Sequence, residues 1–87
     1  MTWKVNYDPR AVKELAELDK PIRRRIVDYL GAVAASGDPA SRGKALTGNL
    51  VGLGRYRVSD YRVICQHQHA IMVVLVVEVG HRSEVYG

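Results

Sequence analysis

The stretch from Ala70 to Val79, Ala-Ile-Met-Val-Val-Leu-Val-Val-Glu-Val, is apolar at every position but Glu78. Its density of β-branched residues favours a pleated, buried surface over a helix. At ten residues it falls well short of the ~20 needed to cross a bilayer as a helix. It therefore predicts the central strand of a sheet covered on both faces. The chain has 87 residues, enough for one small core and no second domain. Cys65 is the single cysteine, so no intrachain disulfide supports that core and a reducing compartment is expected.

Shorter patterns place the other elements. Trp3 to Tyr7 alternates with apolar residues at 3, 5 and 7, which predicts a half-buried first strand. Asp8-Pro9 then starts a helix, because aspartate caps free N–H groups and proline at the first helical position sacrifices no bond. Val12, Leu15, Ala16 and Leu18 form its expected buried stripe. Asp19-Lys20-Pro21 repeats the signal, and Ile22, Ile26, Leu30 and Val33 carry the apolar face of a second helix. Gly37-Asp38-Pro39 ends it, and a polar loop follows to Gly43. Strands are expected over 54–58, 61–67 and 70–79. The sum is an α+β domain over 1–87: an N-terminal strand, then a two-helix hairpin on one face of a mainly antiparallel sheet completed by three C-terminal strands.

The open face of that sheet is where charge collects. Arg55 and Arg57 are two apart in Gly54-Arg-Tyr-Arg-Val58, so they share a face while Tyr56 and Val58 take the other. With Ser59-Asp60 as a tight turn, antiparallel pairing sets Val58 against Tyr61 and Arg57 against Arg62. Like charges directly opposite destabilise a sheet by roughly 0.2–1 kcal/mol. They persist either because both guanidinium groups are solvated or because together they hold an anion. By parity Tyr56, Val58, Tyr61, Val63 and Cys65 belong to the core, under the helices. The formal charge of +4, with nine arginines among thirteen basic residues, is compatible with a nucleic-acid partner. Arg23, Arg24 and Arg25 read as a solvated helix face, with docking of RNA phosphate by these three and Lys44 as the alternative.

Other patterns fail on chemistry. Cys65, His67 and His69 alternate like soft metal ligands, but a fourth ligand is missing and the segment is expected to turn back, placing His67 and His69 at a hairpin tip. Gly37 to Lys44 lacks the spacing and the Ser or Thr of a phosphate-binding loop. No nucleophilic triad stands out. The start of the chain lacks the apolar stretch of a signal peptide, so the expected location is cytoplasmic, with no membrane partner.

Three segments together closely resemble the RelE branch of the RelE/ParE toxin superfamily: Gly43-Lys-Ala-Leu-Thr-Gly-Asn-Leu, Gly54-Arg-Tyr-Arg-Val-Ser-Asp-Tyr-Arg-Val-Ile, and Glu78-Val-Gly-His-Arg-Ser-Glu-Val-Tyr. The likeness covers essentially the whole chain. It implies a toxin of a type II toxin–antitoxin pair, a metal-independent endoribonuclease that needs no cofactor. Such a toxin cuts messenger RNA in the ribosomal A site, blocks translation and is silenced by a cognate antitoxin. By this resemblance Arg55, Arg57, Arg62, Arg82 and Tyr86 match the family's working positions. The best-known member has lysines where Arg55 and Arg57 stand. Because arginine hardly loses its proton, both are assigned to positioning phosphate, and proton transfer is left to Tyr86 or His81. The competing readings are a ParE-like inhibitor of DNA gyrase acting by protein contact, and a non-enzymatic RNA-binding module.

Overall fold

Both helices begin where an aspartate precedes a proline, but the two caps differ. The structure, a computed structural model, describes residues 2–46 and 52–83. Asp8 accepts a hydrogen bond from the Arg10 N–H at 2.9 Å and opens α1, Pro9–Ala16. Asp19 makes no side-chain cap bond and serves α2, Lys20–Ala35, only through its carbonyl, which accepts from Arg23 at 3.0 Å. Gly37, at φ 84, takes the left-handed conformation that ends α2 without a Cβ clash. None of the described helices is long and apolar enough to cross a membrane.

The strands are β1 (Lys4–Tyr7), β2 (Lys44–Ala45), β3 (Leu53–Val58), β4 (Tyr61–Gln68) and β5 (Val73–His81), in the sheet order β1-β5-β4-β3-β2. Among the described strands only the β1–β5 pair is parallel. The α+β architecture is the expected one. The long apolar run is β5, but it starts at Val73 because His69–Ile71 forms a 3-10 turn ending on Met72 at φ 53. It is an interior strand one place from the edge, with β4 in the middle. Its helix-side residues Val74, Val76 and Val79 are buried, whereas Leu75 and Val77 are half-buried. The expectation of cover on both faces holds in part: the helices shield one face, and on the other Val73 is buried while Leu75 and Val77 are half-buried.

That face holds the core. Ala11, Leu15, Ile26, Leu30 and Val33 pack against Tyr56, Val58, Val63, Cys65, Val74 and Val76. Full burial of each valine contributes about 1.5–3 kcal/mol. The stripe of α1 is displaced from the expected one: Val12 is 53% exposed and Ala16 also faces solvent, while Ala11 is fully buried. The reason is α1's docking on β5, which turns Ala11, Leu15 and Leu18 inward.

A bulge in β5 fixes that docking. Cys65 pairs with Val76 and Ile64 with Glu78, which leaves Val77 as an extra residue. β1 stops at Tyr7, so beyond Val76 the β5 edge needs another partner. Glu14 of α1 provides it: its Oε1 accepts the Val79 N–H at 2.8 Å. Arg10 reaches Glu14 at 3.3 Å and Glu78 at 3.6 Å, holding the carboxylate in place.

At the far end of the sheet, His67 is a strand residue of β4 rather than a hairpin-tip residue; only His69 lies in the turn, edge-on to Trp3. Tyr56 donates to the Pro39 carbonyl at 2.6 Å, so its single proton is committed. His67 Nε2, 2.7 Å from the same oxygen, must therefore be the protonated nitrogen and donate. The ring lies over Gly54, where a Cβ would come within 2.8 Å of it. Burial, then His69, lowers the pKa of His67, while Asp38 raises it.

Two outcomes follow from these ties. Glu14→Ala leaves a buried N–H unsatisfied and should lower unfolding free energy by about 1–3 kcal/mol, read from urea midpoints, whereas Glu14→Gln retains an acceptor and should lose less. For His67 the folded pKa lies below its unfolded value, so its contribution is complete above about pH 6.5 and drains away as pH falls below it. Melting temperature should drop between pH 7 and 5, and His67→Gln should flatten that slope.

Candidate RNA-binding and catalytic site

The two-residue turn Ser59-Asp60 joins β3 to β4 with Ser59 at φ 57, the positive angle a tight hairpin needs at its first central residue. Serine there bears a strain of about 1 kcal/mol. The turn sets the expected register, Val58 opposite Tyr61 and Arg57 opposite Arg62. β5 ends with His81 paired to Tyr61, and the Arg82 N–H that follows donates to the Asp60 carbonyl at 2.9 Å. One backbone bond thus ties the end of β5 to the hairpin tip.

The result is a small recess of about 100 Å³ lined by Arg57, Ser59, Asp60, Tyr61, Arg62 and Arg82. Three guanidinium groups from three consecutive parts of the chain meet there. Arg62 is half-buried; Arg57 and Arg82 are exposed. Arginines gathered around one recess offer forked donors to the oxygens of one phosphate. Arg55 is on the same face, but one strand repeat away, about 7 Å from Arg57, opposite Ile64 and Lys44 and outside the lining. Lys44 is exposed in β2 beside it.

The remaining candidates scatter. Arg24 and Arg25 are exposed on α2, Arg23 is half-buried, and Arg24 approaches Asp28 at 3.9 Å. None of them lines the arginine recess. His81 lies beside Arg82 in sequence yet faces the helix side, edge-on to Tyr61 with ring centroids 5.7 Å apart, its Nδ1 2.9 Å from Ser83 Oγ. Tyr86 falls outside the described residues. Cys65 is fully buried, and burial pushes its thiol up to about 12, so it is neither nucleophile nor ready metal ligand.

Sequence reasoning missed Ser59, Asp60 and Tyr61 as parts of this site. Ser59 and Asp60 were legible only as a turn. Tyr61 was assigned to the core by parity, and it does pack against the core while also lining the recess.

A two-helix layer over a mixed sheet, with a cationic recess at one hairpin tip, defines a small α+β protein. The sequence profile described as "ParE toxin of type II toxin-antitoxin system, parDE" matches residues 5–86, and the chain belongs to that family, within the RelE/ParE superfamily. Among solved structures it is similar to the toxin-antitoxin complex RelBE2 from Mycobacterium tuberculosis, with 24% identity, TM-score 0.84, and 94% of this chain and 100% of that chain covered. It is also similar to the isolated E. coli RelE toxin, with 28% identity, TM-score 0.74 and coverage of 99% and 92%. The archaeal RelE-RelB complex from Pyrococcus horikoshii gives 27% identity, TM-score 0.73 and coverage of 98% and 100%. No curated protein matches the chain. The chain is a type II toxin of this superfamily.

Because the arginines repel one another, an oxyanion bridging them should stabilise the fold by mass action. At matched ionic strength sulfate should raise the melting temperature more than chloride, and Arg57→Gln should abolish most of the difference. An equal sulfate response in both proteins would mean the recess does not hold the anion.

Proposed function

We propose that this toxin is a metal-independent endoribonuclease that cuts messenger RNA on the ribosome and is neutralised by a cognate antitoxin. The observation that carries this reading is the meeting of Arg57, Arg62 and Arg82 around one recess. In the reaction the ribose 2′-oxygen forms a bond to the adjacent phosphorus as the bond from phosphorus to the 5′-oxygen breaks. A cyclic phosphate and a 5′-hydroxyl result, the 2′-hydroxyl proton passing to a base and the leaving oxygen taking one from an acid.

Negative charge grows on the equatorial phosphate oxygens along this path. Fixed guanidinium forks stabilise that charge more than they stabilise the ground state, which is what accelerates the step. Arg57, Arg62 and Arg82 take this role, and Arg55 with Lys44 tracks the backbone on the upstream side. Tyr86 carries the proton, because His81 faces the helix side of the sheet, away from the arginine recess. Among the described residues the lining supplies cations, hydroxyls and the Asp60 carboxylate but no imidazole, and alignment of the 2′-hydroxyl by the ribosome supplies the remaining acceleration. The relatives include RelE toxins solved with the antitoxin RelB, which supports an antitoxin partner here.

The ParE description of the matching family favours a second reading, inhibition of DNA gyrase by contact without cleavage. A translating extract separates the two: codon-phased messenger ends support the nuclease, and intact messenger with arrested replication supports the gyrase inhibitor. Arg82→Ala should reduce cleavage by about 10²–10³. Its melting temperature should stay nearly unchanged, because an exposed guanidinium adds little to stability.

A further inference from the structure

The Tyr61 ring borders two recesses. One is the arginine recess; the other, of about 440 Å³, is lined by Glu14, Glu17, Leu18, Tyr61, Val79, Gly80 and His81 at the C-terminal end of α1. Among the described residues the two share Tyr61 alone. In the second, Tyr61 and His81 are direct partners across β4 and β5 and stand edge to face, their rings 85° apart, so that the two together present a right-angled aromatic corner. Leu18 and Val79 give an apolar floor. Glu14 is committed to the Val79 N–H and to Arg10, which leaves the exposed Glu17, the residue that closes α1, as the acceptor this recess offers.

We propose that this recess is a nucleobase subsite contiguous with the arginine recess, taking the base next to the scissile phosphate and favouring one with an exocyclic amino group. The proposal rests on the nuclease reading above. Bases of single-stranded RNA are held by stacking on tyrosine and histidine faces, with specificity from hydrogen bonds to their edges. A carboxylate at the rim accepts from the amino groups of guanine, adenine and cytosine, whereas uracil has a carbonyl in the corresponding place and would be repelled. The two recesses open on opposite sides of the sheet and share Tyr61 at its hairpin end, so a strand whose phosphate sits between Arg57, Arg62 and Arg82 turns about that end to bring the neighbouring base to the aromatic corner. Tyr61 and His81 then hold the base by stacking, and Glu17 sets specificity.

The test uses the full chain in a translating extract with a messenger randomised across many codons, the ends being mapped by sequencing. The wild type should show uridine depleted about fivefold or more at one fixed position beside the cut. Glu17→Ala should erase that depletion, and Tyr61→Leu should reduce cutting about ten- to hundredfold, with Tyr61→Phe restoring most of it. A wild type that cuts without discriminating against uridine, or a Glu17→Ala protein with an unchanged cut profile, overturns the subsite while leaving the nuclease reading intact. A wild type that cuts nothing overturns the nuclease reading itself.

Discussion

The bond from the Arg82 N–H to the Asp60 carbonyl is the constraint on which the basic recess depends. Without it the chain after β5 would leave the sheet, and the third guanidinium would have no fixed relation to the first two. The acceptor can be there because Ser59 tolerates a positive φ, which closes the hairpin in two residues and presents the Asp60 carbonyl towards the end of β5. A hairpin one residue longer would slide Arg62 to the opposite face, since strand side chains alternate. The site is therefore specified by turn length and strand register more than by any contact among the arginines themselves.

Holding like charges across a sheet costs stability, and the opposite face of the same strands supplies the compensation. Tyr56, Val58, Val63 and Cys65 alternate with the arginines and are buried at 4% exposure or less. Each strand thus carries an apolar half that anchors it and a cationic half that it displays. The anchoring half is reinforced at both ends of the sheet, by Glu14 on the β5 edge and by the Tyr56–Pro39–His67 bonds at the β2 side. These two polar ties lie where ordinary strand pairing runs out: β1 stops short of the bulge, and β2 is only two residues long.

The sequence was informative where local chemistry and global structure agree. Asp-Pro pairs, the alternation around Arg57, and the two-residue turn each have a mechanism confined to a few neighbouring residues, and each predicts what the fold contains. The misplacements share another cause. Val12 and Ala16 look inward on a helical wheel, but the face α1 buries is chosen by its docking on β5, which no periodicity reports. His67 reads as a loop residue until Tyr56 and Gly54, more than ten positions earlier, are known to sit beside it. His81 and Arg82 are adjacent in sequence and were grouped for that reason, yet a strand sends neighbours to opposite faces. Tyr61 was assigned to the core alone, although a residue at the end of a strand can pack inward and still border a surface recess.

Arginine in place of lysine at positions 55 and 57 has a mechanistic consequence. A guanidinium that stays protonated throughout can neutralise a pentacoordinate phosphate but cannot collect the 2′-hydroxyl proton. On the nuclease reading proposed above, charge stabilisation falls to the hairpin recess and proton transfer to a group other than these arginines. Such a division makes rate sensitive to the angle at which the ribose is presented, because no single side chain can follow both oxygen and proton. An external scaffold that fixes the RNA strand, as the ribosome does for a codon, meets that requirement. The same substitution would leave free RNA, which samples many backbone angles, a poor substrate even where it binds the basic face well.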